Sequence, residues 1–166
     1  GIAGLHVLHR HAATDEAGGF RMSAAMKLVV AATMAAASGG PSRDLALRAC
    51  AVDNSLTVVV RAAAVLARRG FPRDAREVSR RLDLSLDVPR VRAARLRVEG
   101  EIGLAEGRIA EALQALDRAR REEVQPFGHE YWAYALGKAG RKEEMARALA
   151  EVEARLEGLD LLHEVG

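Results

Sequence analysis

Three histidines near the start of the chain have the residue type and spacing that could bind a metal ion. His6, His9 and His11 lie in the stretch HVLHRH, and His6 and His9, three residues apart, would share one face of a helix. A complete site would need further ligands, and Asp15 and Glu16 lie just past this predicted helix. We interpret the histidines as solvated or interfacial and predict no metal site.

Other reactive residue types do not form a catalytic arrangement. His129 and Glu130 stand near Tyr131 and Tyr134, but one histidine and one carboxylate are too few to define an active site. Cys50 is the only cysteine, and we interpret it as a small buried hydrophobe. The glycine-rich stretch SGGPSRD lacks the lysine and the preceding strand of a phosphate loop. We therefore predict no enzyme activity and no cofactor, although the His129 group leaves an enzyme as a weaker alternative.

Composition and charge narrow the class of protein. The chain of 166 residues is 49% apolar and 29% charged, as is usual for one soluble globular domain. The net charge of +2 gives no electrostatic argument for binding nucleic acid. The apolar run within residues 26–40 is too short to span a membrane. A single cysteine excludes an internal disulfide and fits a reducing compartment, so we expect a cytoplasmic protein.

Glycine and proline divide the sequence into eight or nine helix-length segments joined by short loops. The second segment has a broad apolar side, made of Met22, Met26, Val29, Val30 and Met34. The β-branched run at residues 57–60 is also compatible with a strand. No alternating partner strand lies nearby, so we predict a helix there and an all-α fold.

A glycine-led pattern recurs along the chain. Four turn glycines, Gly40, Gly70, Gly107 and Gly140, are separated by about 30, 37 and 33 residues, which is the length of a helix pair. Such a glycine can adopt a positive φ at the end of the first helix. A small residue such as Ala75 or Ala112 follows five positions later, and another stands seven positions before the glycine. The larger Leu45 and Met145 occupy the later position in the other copies.

Two segments carry a family resemblance. RVEGEIGLAEGRIAEALQALDRA and YWAYALGKAGRKEEMARALAEVE resemble tetratricopeptide (TPR) repeats. The residues that match the family's packing signature are Gly100, Gly107, Ala112, Leu116 and Ala119, with a partial match at Trp132, Gly140 and Leu149. The resemblance implies a right-handed stack of antiparallel helix pairs. We expect one domain over residues 1–166, with imperfect pairs in residues 1–54 and clearer repeats at about 55–157.

The match to the family is incomplete. Leu116 and Leu149 stand where TPR repeats carry an aromatic residue in the second helix, and the copy at Gly70 is degenerate. A non-repeating helical bundle is the alternative fold. The sequence from residue 64 onward is also similar to TPR tails of multidomain bacterial signalling proteins, both kinases and transcriptional regulators. The chain begins with Gly1 rather than Met, which is compatible with a piece of a longer protein.

The resemblance implies a set of partner-binding residues. In TPR proteins the first helix of each pair lines a concave groove that binds a peptide or a helix. The outward positions of those helices in this sequence are Arg61, Arg68, Arg97, Glu101, Glu130, Tyr134 and Lys138. Arginine and tyrosine are enriched at binding hot spots, and such a groove would suit a partner that carries carboxylates. Charge runs on second helices, such as RARREE, are interpreted as solvated faces with paired charges.

The expected function is a non-catalytic protein–protein interaction module that acts in scaffolding or regulation. The alternative is a ligand-sensing helical domain that controls an attached effector, whose sign would be a closed pocket between first helices. We expect a protein or peptide partner and neither nucleic acid nor membrane. A homodimer stays open, since the apolar residues Leu156, Leu159, Leu161 and Leu162 end the chain and would suit pairing with a second copy.

Overall fold

The computed structural model describes residues 2–80, 88–122 and 129–163, and side chains within residues 4–80, 88–122 and 129–154. These residues form helices joined by turns, without a strand, so the all-α prediction is confirmed for the described part of the chain. The run at 57–60 is helical, as expected. The described residues contain nine helices: α1 Ile2–Ala17, α2 Arg21–Ala37, α3 Ser42–Val52, α4 Leu56–Arg68, α5 Pro72–Ser79, α6 Pro89–Ala105, α7 Ile109–Glu122, α8 His129–Lys138 and α9 Lys142–His163.

One glycine turn is used repeatedly to end a helix. At Gly107 the backbone N–H donates to the Leu104 carbonyl at 3.2 Å, and the N–H of Arg108 donates to the Gly103 carbonyl at 2.9 Å. This pair of hydrogen bonds is the Schellman motif, which requires a positive φ at the glycine. Within the described part of the chain, the glycines with a positive φ are Gly19, Gly39, Gly70, Gly107 and Gly140.

The structure corrects the position of the first predicted turn glycine. Gly39 has the positive φ, and the N–H of Gly40 donates to the Ala35 carbonyl at 2.8 Å, as Arg108 does to Gly103 in the Gly107 turn. Pro41 is then one extra residue before α3. The next helix consequently begins one residue later than in the other copies. Gly19 is a fifth use of the same turn. The sequence analysis missed it because Asp15 and Glu16 were expected just past the first helix, whereas α1 extends to Ala17.

The chain divides into two compact units, residues Gly1–Leu86 and Asp87–Gly166. In the first unit each helix packs on the next one along the chain, and α2 also packs on α4. The core of this unit is formed largely by alanine and valine, with Val58, Val59 and Leu66 fully buried. Since alanine-rich faces allow helices to approach closely, this core needs no aromatic side chain.

The second unit follows the same order of contacts, and α6 also packs on α8. Gly100 allows α6 to approach α7, because a Cβ at that position would lie 2.4 Å from Leu116 Cγ. Leu116 is fully buried, as its match to the repeat signature predicts. A second cluster of Ala133, Leu136 and Ala148 packs against Trp132, Leu113 and Met145.

One predicted core position in α9 is wrong. Leu149 was expected to pack because it partly matches the repeat signature, but its side chain is 45% exposed, and the neighbouring Ala148 is buried instead. Met145 takes part of the space, since it lies against Gly137. The pairing of helices agrees with the predicted helix-pair organisation, while the right-handed TPR stack and the single domain stay predictions. Leu156, Leu159, Leu161 and Leu162 lie outside the described side chains.

Candidate interaction surfaces

Arg61 and Arg68 lie on the less buried side of α4. Four residues, Thr57, Arg61, Val65 and Arg68, are the partly or fully exposed positions along this side, while residues 58–60 and 62–64 are buried. Their spacing follows the helix repeat, so they form one line. The structure therefore agrees with the predicted outward orientation of Arg61 and Arg68.

Part of the broad apolar side that the sequence predicts for α2 is exposed. Met22 is 54% exposed and Val30 is 45% exposed, with the half-buried Met26 between them on the same face. We call these three residues the methionine stripe. Val29 is buried as expected. Sequence hydropathy could not separate these residues from the core, because the adjacent alanines supply enough buried surface to pack α2.

The methionine stripe and the arginines of α4 belong to neighbouring helices of one unit. Val30 and Arg61 each stand nine residues before the positive-φ glycine that ends their helix. The two helices are thus equivalent members of successive helix pairs, and they pack on each other. We define the α2–α4 surface as Met22, Met26, Val30, Arg61 and Arg68.

The α2–α4 surface has two edges, one next to α1 and one formed by α4, and they differ in how their charges are paired. On the α1 edge, Lys27 forms an ion pair with Asp15, and Ser23 donates a hydrogen bond to the same carboxylate. These contacts, first that of Lys27, lower the pKa of Asp15. On the α4 edge, Arg61 makes no ion pair with any residue that the structure describes. The surface therefore presents an uncompensated positive charge beside an apolar stripe.

In the second unit, Glu130, Tyr134 and Lys138 lie four residues apart along α8 and share one face. Glu130 and Lys138 are exposed and Tyr134 is half-buried. The Lys138 ammonium nitrogen lies 5.6 Å from the centroid of the Tyr134 ring, which is cation–π range. We call these three residues the α8 face. It combines an aromatic ring with charged groups, as the sequence analysis expected.

Arg97 and Glu101 do not lie on an open surface, so their predicted outward position is wrong. Arg97 is 7% exposed and Glu101 is 1% exposed. The Arg97 guanidinium carbon lies 5.7 Å from the centroid of the buried Tyr131 ring of α8. Because α6 packs on both α7 and α8, and Gly100 brings α7 close, most sides of α6 are covered. The repeat pattern alone does not show that neighbouring helices cover Arg97 and Glu101.

Several charges of the second helices and of the turns next to them form ion pairs close in sequence. Pairs three residues apart join Arg80 to Glu77, Arg108 to Glu111, Arg120 to Asp117 and Arg141 to Glu144. The contact with Arg141 lowers the pKa of Glu144. In the run RARREE, however, Glu122 pairs with Arg92 of α6, and Arg118 forms no ion pair with a described residue. The interpretation of the charge runs as internally paired faces is therefore confirmed only in part.

The remaining candidate residues are the three histidines of α1 and the cysteine of α3. His6, His9 and His11 are all exposed, and no group of three or more potential ligands among the described residues could hold a metal ion. Cys50 is buried, as predicted. A depression of about 490 Å³ lies beside Arg43 and Phe71, where Arg43 pairs with Asp74. No helix within the described residues has the length and apolar character needed to cross a membrane.

Comparison with models of known protein families, with curated proteins and with solved structures found no match to this chain.

Proposed function

We propose that this chain is a non-catalytic protein-interaction module that binds its partner through exposed sides of its first helices. The observation that carries the proposal is the combination of side chains on the exposed sides of the first helices. There, Arg61 and Lys138 accompany exposed apolar or aromatic groups, which are the methionine stripe and the Tyr134 ring. Arg61 and Lys138 form no ion pair with a described residue. A partner can gain binding energy from such a surface without breaking existing ion pairs.

The proposed partner is a protein segment that carries carboxylates. A carboxylate can form charge-assisted hydrogen bonds with Arg61 or Lys138, while Tyr134 offers a rigid ring for packing. The similarity to TPR tails of bacterial signalling proteins supports a scaffolding or regulatory role in the cytoplasm. In that role the module would bring an attached or associated effector to its target.

A capture experiment with matched variants tests this function. The wild type, Tyr134→Ala/Lys138→Glu, Arg61→Glu and the control Arg118→Glu would each be immobilised and exposed to lysate of the source organism. Arg118 is exposed on the second helix α7 and forms no ion pair with a described residue, so its variant makes a comparable charge change on the opposite kind of helix.

We expect a protein that the wild type and Arg118→Glu retain and that at least one first-helix variant loses. The purified protein should then bind the wild type saturably in a calorimetric titration, with about tenfold weaker binding to the same variant. If no captured protein binds directly, or if Arg118→Glu weakens binding equally, the proposed function is wrong.

A further inference from the structure

The methionine stripe is an apolar surface with few charges of its own. Three of the chain's four methionines lie on α2, and two of them belong to the stripe. The only charged residues of this helix, Arg21 and Lys27, are already engaged: Arg21 Nε donates to the Val52 carbonyl at 2.7 Å, and Lys27 pairs with Asp15. Covering the stripe therefore removes apolar surface from water without desolvating a free charge of α2.

The stripe has the length and periodicity of a helix-binding ridge. Met22, Met26 and Val30 are spaced by four residues, so they extend over about 12 Å of the helix axis. A partner helix that presents apolar residues at i, i+4 and i+7 would match this length. Methionine side chains adapt to the shape of an apolar partner because they are flexible and polarisable.

Arg61 on the neighbouring helix α4 makes the surface favour a partner with negative charge. Arg61 belongs to α4, which packs on α2, and Arg68 lies two turns further along the same side. On the opposite edge the carboxylate of Asp15 is held by Lys27. A binding helix would gain ion pairs with acidic residues on its α4-facing flank, whereas basic residues there would be repelled.

We propose that the α2–α4 surface binds an acidic amphipathic helix of a partner protein, with apolar residues on the methionine stripe and a carboxylate at Arg61. The proposal rests on the proposed interaction function and specifies the partner class for this one surface. A bulk anionic membrane fits less well, because the nearby cations Lys27 and Arg48 are already paired with Asp15 and Glu16, which leaves few positive charges to attract lipid headgroups.

A defined peptide tests the proposal on the full chain. The probe is a fluorescein-labelled helical peptide of about 18 residues, or about five turns, with leucines along one face and glutamates along one flank. Two control peptides have the same residues in scrambled order and arginine in place of glutamate. Fluorescence anisotropy would measure their binding to the wild type, Val30→Asp, Arg61→Glu and the control Arg73→Glu, which alters an exposed arginine of the second helix α5. Far-UV circular dichroism would verify that the variants are folded.

We expect saturable binding of the acidic peptide to the wild type and to Arg73→Glu, and about tenfold weaker binding to Val30→Asp and Arg61→Glu. The arginine-containing and scrambled peptides should bind at least about tenfold more weakly than the acidic one. Either absence of binding or equal binding of the three peptides overturns the proposal.

Two further measurements separate other occupants of the surface. Sedimentation velocity would detect a dimer, and a dimer lost in Val30→Asp would assign the stripe to a second copy of this chain. Binding to phosphatidylserine vesicles that depends on Arg61 in the absence of peptide binding would assign it to a lipid surface. Both results overturn the acidic-helix proposal. If the lysate partner requires Lys138 while the acidic peptide does not bind, the interaction function stands and only this assignment fails.

Discussion

At the scale of single residues, Gly100 and Gly137 offer a comparison between two tightly packed helical glycines. A Cβ at Gly100 would lie 2.4 Å from Leu116 Cγ, a branch point inside the core, whereas a Cβ at Gly137 would lie 2.9 Å from the Met145 sulfur. A leucine branch point cannot move without shifting both methyl groups. A methionine side chain can rotate aside, since it has three flexible bonds.

We expect Gly100→Ala to lower the free energy of unfolding by about 1–2 kcal/mol, because overpacking outweighs the gain in helix propensity. Gly137→Ala should leave that free energy unchanged or raise it by up to about 1 kcal/mol. Urea unfolding followed by circular dichroism measures both. Equal effects of the two substitutions would show that the close approach of α6 and α7 at Leu116 is not as tight as described.

The contacts of Asp15 should make the free energy of unfolding depend on pH. The hydrogen bonds from Lys27 and then Ser23 hold its pKa below the ordinary value of 3.8, so the folded state favours the charged carboxylate. This contribution to stability is fully present above the unfolded pKa and is lost as the pH falls through the lower folded pKa. Asp15→Asn should therefore destabilise the protein at neutral pH, with a difference from wild type that shrinks below about pH 4.

Urea unfolding at a series of pH values would measure this difference, and Glu16→Gln provides a control on the same helix. Glu16 pairs with Arg48 in a more exposed position, where an ion pair contributes little. A difference between wild type and Asp15→Asn that persists undiminished at low pH would show that the Asp15 contacts do not act through its charge.

At the scale of the element, the repeated helix ending explains how one chain specifies similar helix pairs. Gly107 has φ of +78°, and no atom lies near the position of its absent Cβ. Glycine is therefore required at this position because of the backbone conformation, and not because a side chain would clash. The left-handed conformation costs about 1–2 kcal/mol for a residue with a Cβ, although asparagine tolerates it better than alanine.

We expect Gly107→Ala to lower the free energy of unfolding by about 1 kcal/mol or more, and Gly107→Asn to lower it by less. Thermal unfolding followed by circular dichroism would rank the two variants. If asparagine were as costly as alanine, the conformational account of this turn would be wrong, since the space around the glycine is open to both.

The sequence predicts helices and turns better than it predicts which helix side is covered. Turn glycines are local signals, and Gly70, Gly107 and Gly140 have the predicted positive φ. Burial depends on neighbours distant in sequence. The apolar side predicted for α2 therefore contains both the buried Val29 and the exposed Val30, and Arg97 was assigned to the surface although it is buried. On α8 the prediction of a Tyr134 and Lys138 surface agrees with the structure because the face is set by a simple four-residue spacing.

At the scale of the whole molecule, the two compact units differ in what they bury. Among the described residues, the first unit buries only Ser42 as a polar side chain, whereas the second buries Arg97, Glu101 and His129. Burying a charged group costs free energy that its partners only partly repay. The second unit should therefore be the less stable of the two.

The single tryptophan allows this difference to be measured. Trp132 lies in the second unit, packed in the cluster around Leu136 with the Arg120 guanidinium carbon 5.4 Å from its ring centroid. Its fluorescence reports on that unit, whereas circular dichroism reports on helices of both. We expect the fluorescence transition in urea to occur at a lower concentration than the midpoint of the circular dichroism transition, because the two units unfold separately.

A variant with its tryptophan in the first unit provides the control. In Phe71→Trp/Trp132→Phe the tryptophan would report on the first unit, next to Arg43, whose guanidinium carbon lies 5.5 Å from the centroid of the Phe71 ring. Its transition should then lie at a higher urea concentration than that of Trp132. Coincident transitions for both probes and for circular dichroism would mean instead that residues 1–166 unfold as the single cooperative domain that the sequence predicts, since helix pairs coupled strongly to their neighbours unfold together.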